Sequence, residues 1–198
     1  GLQKRLEQLE LEGITINDLP KSSRDIVQGL FVSVELEAKV FENQYSEQSL
    51  ARASDMVFKK QDYSKAMGYY LQLESIAENP KNNAASKIGL MRCYYLMKND
   101  ADAIAYATKV LAIENVSTEL INEAHYTIAQ SYLTQQKYDD AMAEFRVLAS
   151  SAKSALGAEA NYQIANIYYL KNDFKASEKA VFDFIKGGKG TVYWISKA

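Results

Sequence analysis

The side chains best suited to covalent, acid-base or metal chemistry are scarce in this sequence, which holds one histidine, His125, and one cysteine, Cys93. A single histidine permits at most one Ser-His-Asp arrangement. One histidine with one cysteine excludes a Cys/His zinc centre and any mechanism that needs two histidines. His125 falls at the start of a helical stretch, where a structural or surface imidazole is the ordinary reading. Cys93 stands among Met91, Tyr94 and Tyr95, the setting of a small buried hydrophobe. It cannot form an internal disulfide, so the usual marker of an oxidising compartment is missing. Gly187-Gly188-Lys189-Gly190-Thr191 has the glycine content of a phosphate loop without its Gly-Lys-Thr order or its preceding strand, and reads as a helix stop and linker. Carboxylate pairs such as Glu119 with Glu123 are ordinary helix surface, with nothing to set two of them across a cleft. The expectation is no catalytic residue, no metal, no cofactor, and a chain that is not an enzyme.

The elements that would position any site must come from 198 residues that are 47% apolar and 24% charged. That composition describes one well-packed globular unit, or two small ones, with a sizeable core. Lys and Arg number 23 against 25 Asp and Glu, a net charge of −2, and no basic run is longer than Lys59-Lys60. Nothing there draws the chain to phosphate, so nucleic acid is not an expected partner. No uncharged apolar run approaches the roughly 18 residues of a membrane-spanning helix, and residues Gly1 to Glu12 are strongly charged, unlike a signal peptide. The opening on Gly1 rather than Met reads as a processed or trimmed piece of a longer protein, one with room for an upstream signal.

Two prolines and nine glycines in a chain rich in Ala, Leu, Glu, Lys and Gln favour helix throughout. One pattern recurs four times: an aromatic or acidic residue, a small residue three later, and a bulky residue seven after that. It reads Tyr63/Ala66/Leu73, Asp100/Ala103/Val110, Tyr138/Ala141/Leu148 and Phe174/Ser177/Phe184, with 36 to 38 residues between successive small positions. Thirteen residues before each small position stand Ala53, Leu90, Ile128 and Ile164. Nine before stand Val57, Tyr94, Tyr132 and Tyr168, and eight before stand Phe58, Tyr95, Leu133 and Tyr169. These offsets trace one helical stripe. Polar turns separate the two helices of each unit: Lys60-Gln61-Asp62, Lys98-Asn99-Asp100, Gln136-Lys137 with Asp139 following, and Lys171-Asn172-Asp173. Asn and Asp there are expected to cap the second helix. The small residue lets two antiparallel backbones approach.

This spacing resembles the tetratricopeptide repeat family, over about residues 47–186. The stretch from Ala158 to Phe174 looks most like bacterial envelope-associated members, such as outer-membrane assembly lipoproteins, Tol-Pal accessory proteins and long repeat proteins of Gram-negative bacteria. The resemblance implies an all-α fold in which helical hairpins stack into a right-handed superhelical solenoid. The family's opening Trp is replaced by Leu50, Lys87, His125 and Asn161, and its closing Pro is absent at Glu78, Asn115, Lys153 and Lys189. Connections such as Asn79-Pro-Lys-Asn-Asn and Glu114-Asn-Val-Ser-Thr are longer instead. Residues 1–46 read as a degenerate helix pair carrying Leu2, Leu6, Leu9, then Ser22 as a cap before Val27, Leu30, Phe31, Val34 and Phe41. Residues 187–198 read as a linker and, with Trp194, the start of a truncated fifth repeat.

The resemblance further implies that the first helices line a concave surface able to hold an extended or helical segment of another protein. Eleven residues before each small position come Asp55, Arg92, Gln130 and Asn166, a polar row in register; fifteen before come Ala51, Ile88, Tyr126 and Tyr162. Tyrosine offers a stiff apolar body with a polar tip, and Arg, Asn and Gln can hydrogen-bond a partner's backbone. Asp55, Arg92, Gln130, Asn166, Tyr126 and Tyr162 are therefore the expected partner-binding residues, against the plainer reading of a solvated face over packed tyrosines. The family's carboxylate clamp is lacking, since its positions hold Gln48, Ala85, Glu123 and Glu159. The expected function is a scaffold for a protein or peptide partner, within a longer protein of the periplasm or outer membrane, with the cytoplasm as the alternative. Competing expectations are the helical frame of a glycan-binding lipoprotein and a self-associating spacer that stacks its open repeat ends on a second copy.

Overall fold

The structure, a computed structural model, describes residues 46–150 and 154–186, together with residues 20, 21, 24, 25 and 29. The chain divides into two compact units, Gly1–Ser46 and Glu47–Ala198. In the first, residues 21, 24, 25 and 29 are helical and the Arg24 amide donates to the Pro20 carbonyl at 3.0 Å. The expected degenerate helix pair of residues 1–46 lies otherwise outside the described residues, as do the linker at Gly187 to Thr191 and the fifth-repeat opening around Trp194.

From its border onward the second unit is helical, with no strand among the described residues. Its helices are α1 (residues 46–59), α2 (Tyr63–Ile76), α3 (Pro80–Leu96), α4 (Asp100–Leu111), α5 (Thr118–Thr134), α6 (Tyr138–Ala149), α7 (Ala155–Leu170) and α8 (Phe174–Lys186). From α2 to α8 each helix packs on its neighbours in sequence, and α3 also touches α5. Side chains of α1 pack against α2 and α3. The fold is thus all-α, built from helix pairs in series. The second helices α2, α4, α6 and α8 open at Tyr63, Asp100, Tyr138 and Phe174, where the repeated pattern starts.

Three-residue turns join the helices of each pair, and their geometry repeats with the sequence. Gln61, Lys98, Gln136 and Asn172 all take the left-handed conformation, with φ of 64°, 60°, 59° and 61°. In the last three the turn closes by two bonds. The left-handed residue's amide donates to the carbonyl three residues back (Lys98 to Tyr95, Gln136 to Leu133, Asn172 to Tyr169), and the next amide donates five back (Asn99 to Tyr94, Lys137 to Tyr132, Asp173 to Tyr168), all at 2.9 to 3.1 Å. This double closure satisfies carbonyls that a helix end leaves orphaned. None of the four residues is glycine, the residue such a turn prefers, so each carries a steric cost.

Capping follows the sequence at three of the four second helices. Asp62 accepts from the Lys65 amide at 3.2 Å, Asn99 from Asp102 at 3.5 Å, and Asp173 from Ala176 at 3.1 Å. The expected cap at the third unit is absent: Lys137 makes no side-chain cap, and Asp139 instead bonds Lys171 Nζ at 2.5 Å. Asp139 sits inside the first turn, too late to receive the free amides. Asn79-Pro80-Lys-Asn-Asn, expected as a connection, is mostly helix: Asn79 caps the Lys81 amide at 2.9 Å and Pro80 opens α3. Proline's fixed φ and missing N–H suit that position.

The core comprises three clusters along the series. Ala66, Tyr70, Leu73, Leu90 and Cys93 bury themselves at the α2–α3 join with α1 against them. Met91, Ala107, Val110, Ala124 and Ile128 bind α3, α4 and α5. Ala129, Ala141, Phe145, Leu148 and Ile167 bind α5, α6 and α7. The small residues Ala66, Ala103 and Ala141 are wholly buried, and Ser177 is half-buried with its hydroxyl donating to the Ala165 carbonyl at 2.9 Å. One buried carboxylate ties the first turns together. Glu47 accepts from the Glu78 and Asn79 amides at 2.8 and 3.3 Å and from Asn82 Nδ2 at 2.7 Å. Burial raises its pKa, but these three donors outweigh that and hold the carboxyl below its ordinary value.

Candidate functional site

The C-terminal ends of α1 and α3 and the middle of α5 leave a groove of about 350 Å³ between them. Its walls are Phe58, Tyr95, Leu96, Tyr126 and Thr127, and its polar part is Arg92 with Glu123. Phe58 and Tyr95 belong to the stripe eight residues before the small position. Phe58, Tyr95 and Leu133 of that stripe are half-buried and Tyr169 is 60% exposed. The 36-to-38-residue repeat explains the wall, because it returns an aromatic side chain to the same side of successive first helices. Tyr95 and Tyr126 meet edge to face, centroids 6.4 Å apart and planes at 69°. Leu96 is exposed beside them.

Hydrogen bonds knit neighbouring first helices across this face. Arg92 Nε and Nη2 donate to Glu123 Oε1 and Oε2, each at 2.6 Å. The bond to Glu123 is the main reason the guanidinium pKa is raised. Tyr126 Oη donates to Glu159 Oε1 at 2.7 Å and receives Gln130 Nε2 at 3.2 Å. Burial, then the Glu159 bond, pushes the Tyr126 phenol upward, so it acts as a neutral donor. The register explains the pairing: Glu123 and Glu159 occupy the position eighteen before the small residue. Each is served by a donor from the preceding first helix.

Of the residues expected at a binding face, Arg92 and Tyr126 line the groove. Gln130 backs Tyr126. Asp55 lies on α1, accepting from Tyr70 Oη at 2.8 Å, and Asn166 lies on α7 with its Nδ2 3.3 Å from Gln163 Oε1. Tyr162 is half-buried on α7. None of these last three lines the groove, whereas Phe58, Tyr95, Leu96, Glu123 and Thr127 do and were not among the expected site residues. The aromatic recurrence and the acidic eighteen-before position were the signals that could have found most of them.

Neither the cysteine nor the histidine lines the groove. Cys93 is buried and its thiol is pushed up to about 11 by that burial, so it is a poor nucleophile. His125 Nδ1 lies 2.6 Å from Glu144 Oε2, a contact joining α5 to α6 away from the groove lining. Among the described residues no group of three or more His, Cys, Asp or Glu could hold a metal ion, and no helix is long and apolar enough to cross a membrane. A larger hollow of about 640 Å³ lies at the α2–α3 connection, lined in part by Glu74, Glu78, Lys87 and Lys109. Its Glu74 is already committed to Tyr106 Oη at 2.7 Å and Lys109 Nζ at 3.2 Å. Comparison of the chain with protein-family models and with curated proteins finds no match.

Proposed function

We propose that the chain is a tetratricopeptide-like interaction module that holds a segment of a protein partner on the face of its first helices. In this reading the helix pairs form a right-handed superhelix with that face concave, and the chain is part of a longer, envelope-associated protein. The observation that carries it is the aromatic-walled groove, built from three successive first helices and open to solvent. Recessed aromatic walls beside a satisfied ion pair are the usual make-up of an anchor pocket, since buried Tyr and Arg dominate binding energetics. Arg92 and Tyr126 are the contacts at its centre, with Asp55 on α1, Gln130 on α5, and Tyr162 and Asn166 on α7 extending the polar row across successive first helices. The test is a cross-linked pull-down from the native host, comparing wild type with a Tyr95→Ala/Tyr126→Ala variant that keeps its helical circular dichroism. Loss of a captured protein from the variant supports the reading; identical captures, or none, count against it.

Self-association is the second reading, favoured by the apolar side chains on α8, where Phe174 and Phe182 are 57% and 64% exposed. Light scattering across a concentration series separates the two. A monomer at every concentration removes self-association.

A further inference from the structure

Resting on the reading of the groove as a peptide site, we infer that its anchor is a tyrosine of the partner segment, with its ring on the aromatic walls and its hydroxyl on Thr127. Nearly all of the polar lining is already committed. The charged lining residues are Arg92 and Glu123, and they close on each other through two bonds of 2.6 Å, so the groove carries no net charge. The Tyr126 hydroxyl both donates, to Glu159, and accepts, from Gln130. Thr127 is the exception. It is 3% exposed, and its hydroxyl makes no hydrogen bond among the described residues. Ser131, one turn further along α5, also has an unpaired hydroxyl, but that oxygen is sealed inside the protein, whereas the Thr127 oxygen is not. A hydroxyl that opens on the groove without a partner offers one donor and a free acceptor to whatever enters.

The walls and that hydroxyl together select the ligand. Phe58, Tyr95, Leu96 and Tyr126 offer apolar and aromatic surface, and Tyr95 and Tyr126 already meet edge to face, a packing that a further ring extends. At about 350 Å³ the groove is at the small end of ligand clefts, sized for one anchoring side chain. A phenol adds a tip that both donates and accepts, matching the free hydroxyl of Thr127. A charged anchor finds no spare opposite charge, since each member of the Arg92–Glu123 pair is matched by the other. An aliphatic side chain, or phenylalanine, takes the Thr127 hydroxyl out of water without replacing its hydrogen bond.

The experiment pans a displayed library of random short peptides against the whole protein, then measures selected peptides in solution. Peptides that lose binding to Tyr126→Ala should carry a tyrosine whose replacement by phenylalanine weakens binding roughly three- to ten-fold. Thr127→Val keeps the side-chain shape and removes the hydroxyl. In that variant the penalty should vanish, with the tyrosine and phenylalanine peptides binding within about two-fold of each other. Its melting temperature should match or exceed that of the wild type, because the hydroxyl has no protein partner to lose; a lower one means that the hydroxyl was not free, and overturns the inference. Charged, aliphatic or hydroxyl-free anchors, or a penalty of the same size in Thr127→Val, overturn the tyrosine anchor while leaving the peptide site standing. Absence of any peptide sensitive to Tyr126→Ala overturns both.

Discussion

Gly89 lies in the interior of α3 beneath the ring of Tyr70, and a methyl group added there sets two effects of opposite sign against each other. On an open helix face, Gly to Ala stabilises by about 0.5–1 kcal/mol, because glycine loses more backbone freedom on folding. Here the new Cβ would lie 2.3 Å from Tyr70 Cζ, with Cε1 and Cε2 at 2.4 and 2.5 Å. The ring would have to retreat by roughly 1 Å to reach ordinary contact. It has little room to do so, being 4% exposed and held through its hydroxyl by Asp55 at 2.8 Å. Overpacking of this kind costs about 1–3 kcal/mol, so Gly89→Ala should destabilise by about 1–2 kcal/mol net. The sign should reverse once the ring is gone: in a Tyr70→Leu background, Gly89→Ala should stabilise by about 0.5–1 kcal/mol. Urea unfolding followed by circular dichroism measures both, provided the slope is unchanged among the four proteins, because serial repeats can lose two-state behaviour. The reasoning is refuted if Gly89→Ala is neutral or stabilising in the wild type, or costs the same in both backgrounds.

Three other outcomes follow from the fold. Gln136→Gly should stabilise by about 0.5–1 kcal/mol, since φ of 59° is free for glycine and costly for glutamine, and Gln136→Ala should not; thermal melts of the pair check this. Ala141→Leu should destabilise by about 1–3 kcal/mol, since Ala141 is wholly buried beside Phe145 and Leu148 with no space for three more carbons; an unchanged melt would contradict the close approach of α5 and α6. Because the Glu47 carboxyl has a folded pKa below its unfolded 4.5, its stabilising effect is present above that pH and lost as pH falls through the folded value. Glu47→Gln should therefore lower stability at neutral pH and flatten its decline below about 4.5, read from melts across an acid series.

Much of this fold was legible because it depends on spacing. The small residues Ala66, Ala103 and Ala141 predict close helix contacts, and each is buried; Asp62, Asn99 and Asp173 predict caps, and each caps. Where a cap depended on which residue reaches the amides, as at Lys137 and Asp139, spacing was not enough. The left-handed turns went unread because Gln61, Lys98, Gln136 and Asn172 are not glycine, so residue type hides a conformation that only the recurrence at one register betrays. At the candidate site, the register of Arg92 and Tyr126 was legible from the repeat. Their bonds to Glu123 and Glu159 were not, because they join residues 31 and 33 apart across helices whose separation no single sequence states. Phe58 and Tyr95 were read only as part of a helical stripe, because a stripe at helical spacing looks the same whether a further layer covers it or solvent does.

The central claim is that the first-helix face around this groove receives a partner. A photo-crosslinking amino acid placed at Leu96 on the groove wall, with the same residue at Leu71 on α2 as the control, tests it in the native host; both side chains are exposed, at 42% and 39%. The account predicts a discrete adduct from position 96 that is missing from position 71 and is lost when Tyr126→Ala is added. Equal adducts from both positions, or an adduct at 96 indifferent to Tyr126→Ala, would contradict it.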